Sequence, residues 1–430
     1  MKKITIAILM MVTTLTATAQ SGTNSPYSQY GFGVLSDQTS GFNRGMNGLG
    51  IGFREGNQIN FINPASYSSM DSLTFIFDAG VSGQLTNFSE NGVKKNANNA
   101  NFEYAVAAFR LVKHFGLSFG ILPFSNVGYN YASSGYINND RTSGYVNTYF
   151  GSGGLHQVFL GLGLEPLKNI SIGVNASYLW GDCNRSIINS YTDVYINSLS
   201  KFYSVNVKSY RLDFGLQYSI PFGKSNSLTI GATYGLGHNL NADAECKILS
   251  TNKQTGVKDS TVFAVNNGLS LPHFIGAGFM YNHKNKIKLG VDYSLQKWAS
   301  TSFPVYTEIG GKAGYILNDK YFKDRHKVTV GGEYCPSAFS RKFFNRLAYR
   351  LGASYSTPYL NINGYDGPKE FSVSAGFGIP IMNSYNNKSV LNISAQWVRI
   401  DTNKFITENT FRINIGLTFN ERWFMKWKVE

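Results

Sequence analysis

The segment FRINIGLTF, residues 411–419, alternates between large apolar residues and polar or small ones. Its odd-numbered positions, from Phe411 to Phe419, are apolar, and its even-numbered positions, from Arg412 to Thr418, are polar or glycine. Because successive side chains of a strand point to opposite faces, one face of this strand is apolar and the other is polar. In a membrane-spanning strand the apolar face meets lipid and the polar face meets the lumen. The segment therefore predicts a transmembrane β-strand.

The same alternation recurs in about fourteen segments from Leu73 onward, and an even number of strands is typical of bacterial barrels. Pro272 interrupts the eighth of them, because proline cannot donate to a strand ladder. The sequence therefore predicts an all-β fold, a transmembrane antiparallel β-barrel of about fourteen strands. The predicted strands span residues 73–88, 101–112, 115–130, 153–165, 169–190, 203–220, 226–250, 258–282, 286–299, 326–336, 344–357, 369–382, 388–400 and 409–419.

The connections between these segments differ in length. Those after even-numbered strands are mostly short, and some after odd-numbered strands are long. The short ones span 113–114, 166–168, 221–225 and 283–285, and the long ones span 131–152 and 300–325. Barrels with both termini in the periplasm have short periplasmic turns and longer outer loops. We therefore place the connections after even-numbered strands in the periplasm.

Composition favours a membrane barrel over a soluble sheet. Charged residues make up 15% of the chain, aromatic residues another 15%, and there are 45 glycines, whereas soluble proteins carry about 25% charged residues. A soluble β-sandwich or propeller, for example an adhesin, stays an alternative because its strands also alternate. The solvent face of a soluble sheet would carry many Lys and Glu, but here the polar face is mostly Gly, Ser, Thr and Asn.

The N-terminus has the layout of a secretory signal. Lys2 and Lys3 precede a largely apolar stretch over residues 4–15, and a small-residue cleavage site precedes Gln20. No later apolar run reaches the roughly 20 residues of a helical membrane span, and we expect export to the outer membrane of a Gram-negative bacterium. The predicted divisions are a signal peptide over 1–19, a plug segment over 20–70, a barrel over 71–419 and a C-terminal tail over 420–430.

The segment 20–70 is rich in Gly, Asn and Ser and lacks a long alternation. We expect a fourteen-strand barrel to be wide enough for an aqueous channel, so this segment is predicted to act as a plug, or hatch, inside the lumen. Its run GMNGLGIG over 45–52, followed by Asn-Pro-Ala-Ser over 63–66, resembles the hatch of the FadL-type long-chain fatty-acid transporters. The residues that carry this resemblance are Gly48, Gly50, Gly52, Asn63, Pro64 and Ala65.

The resemblance implies passive uptake of small hydrophobic compounds such as long-chain fatty acids. In that family strand three bends inward and opens a gap in the wall, through which apolar substrate leaves sideways into the membrane. Here Pro123 lies inside predicted strand three, where a proline must interrupt the ladder. We expect Gly120 and Pro123 to form such a break. A bulge without a transport role is the alternative.

Several charged residues fall on the polar face of the predicted strands. One interpretation is a polar network that lines the lumen or anchors the plug. The other is that Arg211 or Arg350 receives a carboxylate headgroup, because a guanidinium group suits that geometry. The charged positions are Asp78, Arg211, Asp213, Asp292, Glu333, Arg350 and Arg412.

No motif for catalysis or cofactor binding has the context that it requires. The run GLSFG over 116–120 matches G-x-S-x-G, but a nucleophile elbow needs a strand, a sharp turn and a helix, and this run lies within a strand. Cys183, Cys246 and Cys335 are far apart, and the histidines lack paired spacing, so neither a disulfide framework nor a metal site is predicted. We expect no enzyme activity and no cofactor. The basic residues behind the net charge of +14 are scattered, which argues against nucleic acid as a partner.

Two functions stay open for such a barrel. The first is the passive uptake described above. The second is a structural or secretion-linked role, in which the outer loops or the tail dock partner proteins. In the tail Trp423, Phe424 and Trp427 predict an interfacial segment. The expected partners are outer-membrane lipid, a small hydrophobic ligand, the barrel-assembly machinery and a surface or periplasmic protein.

Overall fold

Fourteen antiparallel strands pair with their neighbours around a ring, and the last strand pairs with the first. The sheet closes, which confirms the predicted barrel and its strand number. The protein is described by a computed structural model that covers residues 22–137, 143–223, 225–338, 340–381, 389–402 and 404–421. We number the barrel strands β1 to β14, and they span Phe75–Glu90, Val93–Val112, Phe115–Tyr136, Gly144–Leu167, Ile170–Tyr191, Ser198–Phe222, Asn226–Gly235, Phe274–His283, Ile287–Gln296, Arg325–Tyr334, Ala348–Ser356, Lys369–Ile381, Ser389–Asp401 and Thr407–Glu421.

The outer face of the barrel wall is apolar and the inner face is polar, which is the reverse of the arrangement in a soluble protein. Leu351 and Leu289 are 67% and 54% exposed on the outer face, whereas Ser118, Gln217 and Thr418 are fully buried on the inner face. An exposed apolar belt of this size is stable only against lipid, and among sheets only a closed barrel leaves no unpaired edge in lipid. The chain is therefore a transmembrane β-barrel of the outer-membrane type.

Two predicted strands are each divided in the structure. The predicted strand 226–250 consists of β7 and a separate strand Ala242–Thr251, and the predicted strand 258–282 consists of Lys258–Val265 and β8. Ala242–Thr251 and Lys258–Val265 form a hairpin that continues along the outer half of β6, beyond the end of β7. The prediction merged them because their alternation continues, although Pro272 lies at the second break.

Several predicted boundaries also move. The predicted long connection 131–152 is largely strand, because β3 continues to Tyr136 and β4 begins at Gly144. β2 begins at Val93 instead of residue 101, because its outer part is polar on both faces and carries no lipid-facing alternation. β14 continues to Glu421, which pairs with Phe75, so the barrel ends two residues beyond the predicted 419. The predicted signal peptide over 1–19 and the aromatic residues of the tail lie outside the described residues.

Short elements complete the described chain. They are the helical turns Pro26–Gln29, Gly41–Arg44, Pro64–Ser69, Trp298–Ser300 and Phe343–Arg346, the strand Val34–Leu35, and the hairpins His238–Asn239 with Ser270–Leu271, Phe303–Ile309 with Lys312–Asn318, and Asn361–Ile362 with Tyr365–Asp366. In the part of the chain that the structure describes, no helix is both long enough and apolar enough to span a membrane.

A row of glycines on the inner wall receives the segment that precedes β1. We call residues 22–74 the N-terminal segment. Gly116, Gly163, Gly173 and Gly215 are direct cross-strand partners on β3 to β6. A Cβ atom on any of them would collide with atoms of residues 63–67. The absence of side chains along this row is what lets the backbone of the N-terminal segment lie directly against the wall.

Candidate functional site

The barrel wall opens between β2 and β3. Their ladder runs from the pair Val112 and Phe115 to the pair Ala105 and Ile121, with one register shift between Arg110 and Val112. No pair beyond Ala105 and Ile121 is formed in the described residues. β2 continues to Val93 paired only with β1, and β3 continues to Tyr136 paired with β4. The outer half of the wall is therefore divided between these two strands.

Gly120 and Pro123 flank the point where the ladder ends. Gly120 is still paired with Val106, and a Cβ atom on it would lie 2.6 Å from the carbonyl oxygen of Ala105. Pro123 lies beyond the last pair, and the register between β3 and β4 shifts just after it, between Pro123 and Ser125. Because proline has no N–H, the loss of a partner strand at this position leaves no donor unsatisfied.

The N-terminal segment occupies the free edge of β3. Val34 and Leu35 pair with Asn126 and Ser125 as a two-residue antiparallel strand. The amide of Ser36 donates to the carbonyl of Phe124 at 3.0 Å. Two side chains of the segment extend this contact. Gln38 donates to the carbonyl of Pro123 at 2.9 Å, and Ser28 bonds to the backbone of Gly128. We call residues 28–38 the strap, because they cover the edge that β2 leaves.

An aromatic cluster fixes the outer turn of the strap. The ring of Phe32 lies 5.6 Å from that of Trp298, which in turn lies 5.1 Å from Phe322 and 5.4 Å from Tyr359. Tyr359 also donates its hydroxyl to the carbonyl of Gly33 at 3.3 Å. These partners come from the connections after β9 and β11, which we predict to be outer loops, so the strap is held by these loops as well as by β3.

A cavity of about 240 Å³ lies in the lumen beside the strap. It adjoins the wall opening through Leu122 and Phe124 of β3. Apolar and charged side chains both line it. The apolar ones include Leu35, Ile62, Leu122, Phe124, Phe159 and Leu271, and the charged ones are Asp37, Arg211, Asp213, Asp292, Arg325, Lys327 and Glu370. A partly apolar cavity with a few convergent charges is the usual form of a small-molecule site.

The basic side chains that line the cavity differ in whether they form an ion pair. Arg211 donates to Asp213 at 2.9 Å and is 20% exposed, and Arg325 pairs with Glu370 at 3.2 Å. Lys327 forms no ion pair with any residue that the structure describes. The charge of this lysine acts on Asp37 without a direct ion pair, so its ammonium group can still contact a ligand in the cavity.

Asp37 of the strap is held by positive charges. Its carboxylate lies 3.0 Å from Arg412 of β14. Burial alone would raise the pKa of Asp37, but the charges of Lys327, Arg412 and Arg44 lower it to about 2. The strap therefore carries a charge-stabilised contact to β14, on the side of the opening that β2 and β1 form.

Arg350 does not face the cavity, and this rules it out as the predicted carboxylate receptor. It donates to Glu333 at 2.7 Å and to Asn392 at 2.6 Å, and its side chain is 2% exposed. Glu333 also pairs with Lys288 at 3.0 Å, and Lys288 reaches Glu55 of the N-terminal segment. The group is a closed ion network, and of the two predicted arginines only Arg211 borders the cavity.

The glycine run of the N-terminal segment lies against β9. The amides of Gly50 and Ile51 donate to one carboxylate oxygen of Asp292 at 2.7 and 2.9 Å. A Cβ atom on Gly52 would lie 2.8 Å from the backbone of β8, and Gly48 has a φ of +88° that favours glycine. These positions thus need glycine for close approach and for a left-handed turn.

The Asn-Pro-Ala turn has the geometry of a helix cap. The side-chain oxygen of Asn63 accepts from the amide of Ala65 at 3.2 Å, and Pro64 occupies the first helical position. The side-chain nitrogen of Asn63 donates to the carbonyl of Ile51 at 2.9 Å and to that of Leu216 at 3.1 Å. Asn63 therefore joins two parts of the N-terminal segment to β6.

A buried ion pair connects the N-terminal segment to β2. Arg44 donates to Glu103 at 2.8 Å, and the two side chains are 4% and 8% exposed. Arg44 also donates to Asn414 of β14 at 3.1 Å. Glu103 lies just beyond the end of the ladder between β2 and β3, so the pair fixes the segment close to the opening.

The serine and two of the histidines that could serve in catalysis or metal binding form hydrogen bonds with other residues of the wall. Ser118 of the G-x-S-x-G run is fully buried and donates to the carbonyl of Ala107 at 3.1 Å. His273 and His326 bond to tyrosine hydroxyls on the outer wall, at 2.9 and 2.8 Å. Within the described ranges no group of three or more His, Cys, Asp or Glu is arranged to hold a metal ion.

Ser28, Leu35 and Lys327 belong to the site but were not predicted from the sequence. Ser28 and Leu35 lie in a segment without alternation, and no local pattern distinguishes them. Lys327 had a usable signal, because it shares the inner face of its predicted strand with Thr329 and Glu333.

Comparison with known proteins gives a family and a fold. A model of the BamG family matches residues 1–430. No curated protein matches the chain. Among solved structures, the toluene transporter TbuX of Ralstonia pickettii is 14% identical, with 89% of this chain and 98% of that one covered and a TM-score of 0.62. A Pseudomonas aeruginosa FadL homologue is 12% identical, with 90% and 99% covered and a TM-score of 0.62. The P. putida toluene transporter TodX is 12% identical, with 91% and 100% covered and a TM-score of 0.62.

Proposed function

The chain belongs to the BamG family, and from its lumen and wall we propose that it takes up small hydrophobic compounds, such as long-chain fatty acids, by passive diffusion. The observation that carries this proposal is the cavity that adjoins the wall opening through Leu122 and Phe124. The proposal needs no energy source and no cofactor. The likeness in fold to two toluene transporters supports a hydrophobic cargo.

The cavity charges favour an amphipathic ligand over a plain hydrocarbon. Arg211 is fixed by Asp213, and Lys327 carries a charge without an ion pair in the described part of the chain. A carboxylate headgroup would neutralise Lys327 and accept a charge-assisted bond from Arg211. The acyl chain would then lie along Leu122, Phe124 and Phe159.

We assign the N-terminal segment the role of a plug. Its buried contacts with Asp292, Glu103 and the glycine row support this role. Substrate would leave the cavity sideways between β2 and β3, at the break beside Gly120 and Pro123. Because the strap covers this edge, passage requires the strap to separate from β3.

A cavity-filling variant tests the proposal. Ser177 lies on the inner face of β5 and lines the cavity, whereas its neighbour Tyr178 is 49% exposed on the outer face. We expect Ser177→Trp to weaken binding and uptake of labelled fatty acid by about tenfold, since filling the site removes the apolar contacts of the ligand. Tyr178→Trp is the matched control and should behave as wild type. Equal uptake by both variants would refute the cavity as the binding site. Equal uptake by cells with and without the gene would refute the transport function.

A structural or secretion-linked barrel that docks partner proteins is the second candidate. The observation that favours it is the closure of the site, since the strap contacts β3, the outer loops and Arg412 at once. If the strap never separates from β3, the lateral path stays closed, and the barrel would serve to dock partner proteins. Wild-type uptake no greater than that of cells lacking the gene would favour this candidate.

A further inference from the structure

One periplasmic connection is long, basic and aromatic. The described turns after β2, β4 and β8 are short, but thirteen residues separate β10 from β11, and those that the structure describes include the helical turn Phe343–Arg346. Arg341 and Lys342 precede this turn. A barrel needs only a tight turn at this place, so the extra length has another cause.

The loop leans toward the lipid side of the wall. The hydroxyl of Tyr349 donates to the carbonyl of Phe344 at 3.0 Å. Tyr349 is the cross-strand partner of Tyr334 and Phe377, which are 48% and 47% exposed on the outer face. This bond therefore fixes the helical turn beneath the outward aromatic residues, and not under the lumen.

Two phenylalanines of this turn have no cover in the described structure. Phe343 and Phe344 are 48% and 71% exposed, and their rings pack edge to face with centroids 5.5 Å apart. Arg341 and Lys342 are exposed and form no ion pair among the described residues. Aromatic rings beside cations are the composition that enters the headgroup level of an anionic membrane.

We propose that the turn 343–346 inserts its two phenylalanines into the periplasmic leaflet of the outer membrane and binds anionic phospholipid through Arg341 and Lys342. The rings would lie at the boundary of headgroups and acyl chains, where apolar side chains are covered, and the cations would pair with lipid phosphate. The outward placement favours lipid over a periplasmic protein, because the membrane surface already lies against this side of the wall. The site is independent of the proposed uptake function.

Lipid binding is measured on the full chain. The protein is placed in nanodiscs of phosphatidylcholine with phosphatidylglycerol, and the lipids retained after release into detergent are counted by native mass spectrometry. We expect wild type to retain phosphatidylglycerol, and the double variant Arg341→Gln with Lys342→Gln to lose its preference by about tenfold. The double variant Lys284→Gln with Lys286→Gln removes two charges from a turn without phenylalanine and should behave as wild type. Equal retention in both double variants would overturn the proposal.

Insertion depth is measured independently. A spin label on Phe344→Cys, in a chain that carries Cys335→Ser to remove the partly exposed native cysteine, should be more accessible to oxygen than to a water-soluble nickel complex. The same label on Thr255→Cys, in an exposed turn of the outer hairpin, should have the reverse ratio. A label at 344 that prefers the nickel complex would place the loop in the periplasm, available to a protein partner, and would also overturn the proposal. Heat-modifiable migration on gels verifies that each variant has folded.

Discussion

The hydroxyl of Ser28 bonds to both backbone groups of Gly128, donating to the carbonyl at 3.2 Å and accepting from the amide at 3.1 Å. One side chain of the strap thus forms the hydrogen bonds that the amide and the carbonyl of Gly128 cannot form with β2. Unpaired backbone groups in lipid cost several kcal/mol each. The wall stays closed where β2 and β3 separate because the N-terminal segment supplies the missing partners.

Removing the hydroxyl of Ser28 should loosen the strap. Ser28→Ala leaves the amide and the carbonyl of Gly128 without a partner, and we expect the strap contact to weaken by about 1–3 kcal/mol. The measurement is limited proteolysis of the N-terminal segment in folded barrels. Ser260→Ala, at an exposed site in the strand Lys258–Val265, is the control. Equal cleavage of the two variants would show that this contact does not hold the strap.

The buried ion pair between Arg44 and Glu103 should respond differently to single and double replacement. Arg44→Met alone leaves an uncompensated buried carboxylate and is expected to cost about 3–5 kcal/mol. Adding Glu103→Leu should restore most of that loss, because well-packed apolar pairs replace buried ion pairs at little cost. Denaturant unfolding of the two variants compares them. A double variant as unstable as the single one would contradict this account of the pair.

The glycine row should tolerate no side chain. A Cβ atom at Gly215 would lie 2.8 Å from Pro64 and 3.0 Å from the amide of Ala65. Gly215→Ala should therefore displace the Asn-Pro-Ala turn, at a cost of about 1–3 kcal/mol. Gly83→Ala is the control, because a Cβ there meets no atom within 4 Å. The measurement is the protection of the N-terminal segment from protease. Equal protection in Gly215→Ala and Gly83→Ala would contradict the close contact between this segment and the glycine row.

Acid should release the strap through Asp37. A carboxylate whose pKa is lowered in the folded state stabilises that state above its unfolded pKa, near 3.9, and this stabilisation is lost as pH falls toward its folded pKa of about 2. We expect strap protection to be constant from about pH 7 to 5 and to fall between about pH 4 and 2. Asp37→Asn should be less protected at neutral pH and should change less in the acid window. The same acid profile in both proteins would exclude Asp37 as the cause.

Much of the barrel follows from alternation alone. Lipid requires an apolar residue at every second position, so strands such as 411–419 can be predicted from the sequence alone. The rule fails where no lipid is met. Residues 93–100 of β2 are mostly polar, and the hairpin of Ala242–Thr251 alternates although it is an extension of the wall and not one of the fourteen barrel strands.

The candidate site was less accessible to sequence reasoning. Pro123 indicates a broken ladder because a missing N–H is a local property. The strap is different, because Ser28 and Gly128 are far apart in the chain and neither forms a pattern with its neighbours. The glycine row could have been found, since Gly163, Gly173 and Gly215 recur at similar distances from the periplasmic turns.

A disulfide between the strap and β3 tests the central claim, that passage through the opening requires the strap to separate from β3. Val34 and Asn126 are antiparallel cross-strand partners, a pairing whose Cα separation of about 4.5–5.5 Å fits a disulfide. The variant Val34→Cys with Asn126→Cys is made with Cys335→Ser, because Cys335 is the native cysteine that is not fully buried. We predict that oxidised cells take up labelled fatty acid at the rate of cells lacking the gene, and that a reductant restores wild-type uptake, while Val34→Cys alone responds to neither. Equal uptake in the oxidised and reduced states would contradict the claim.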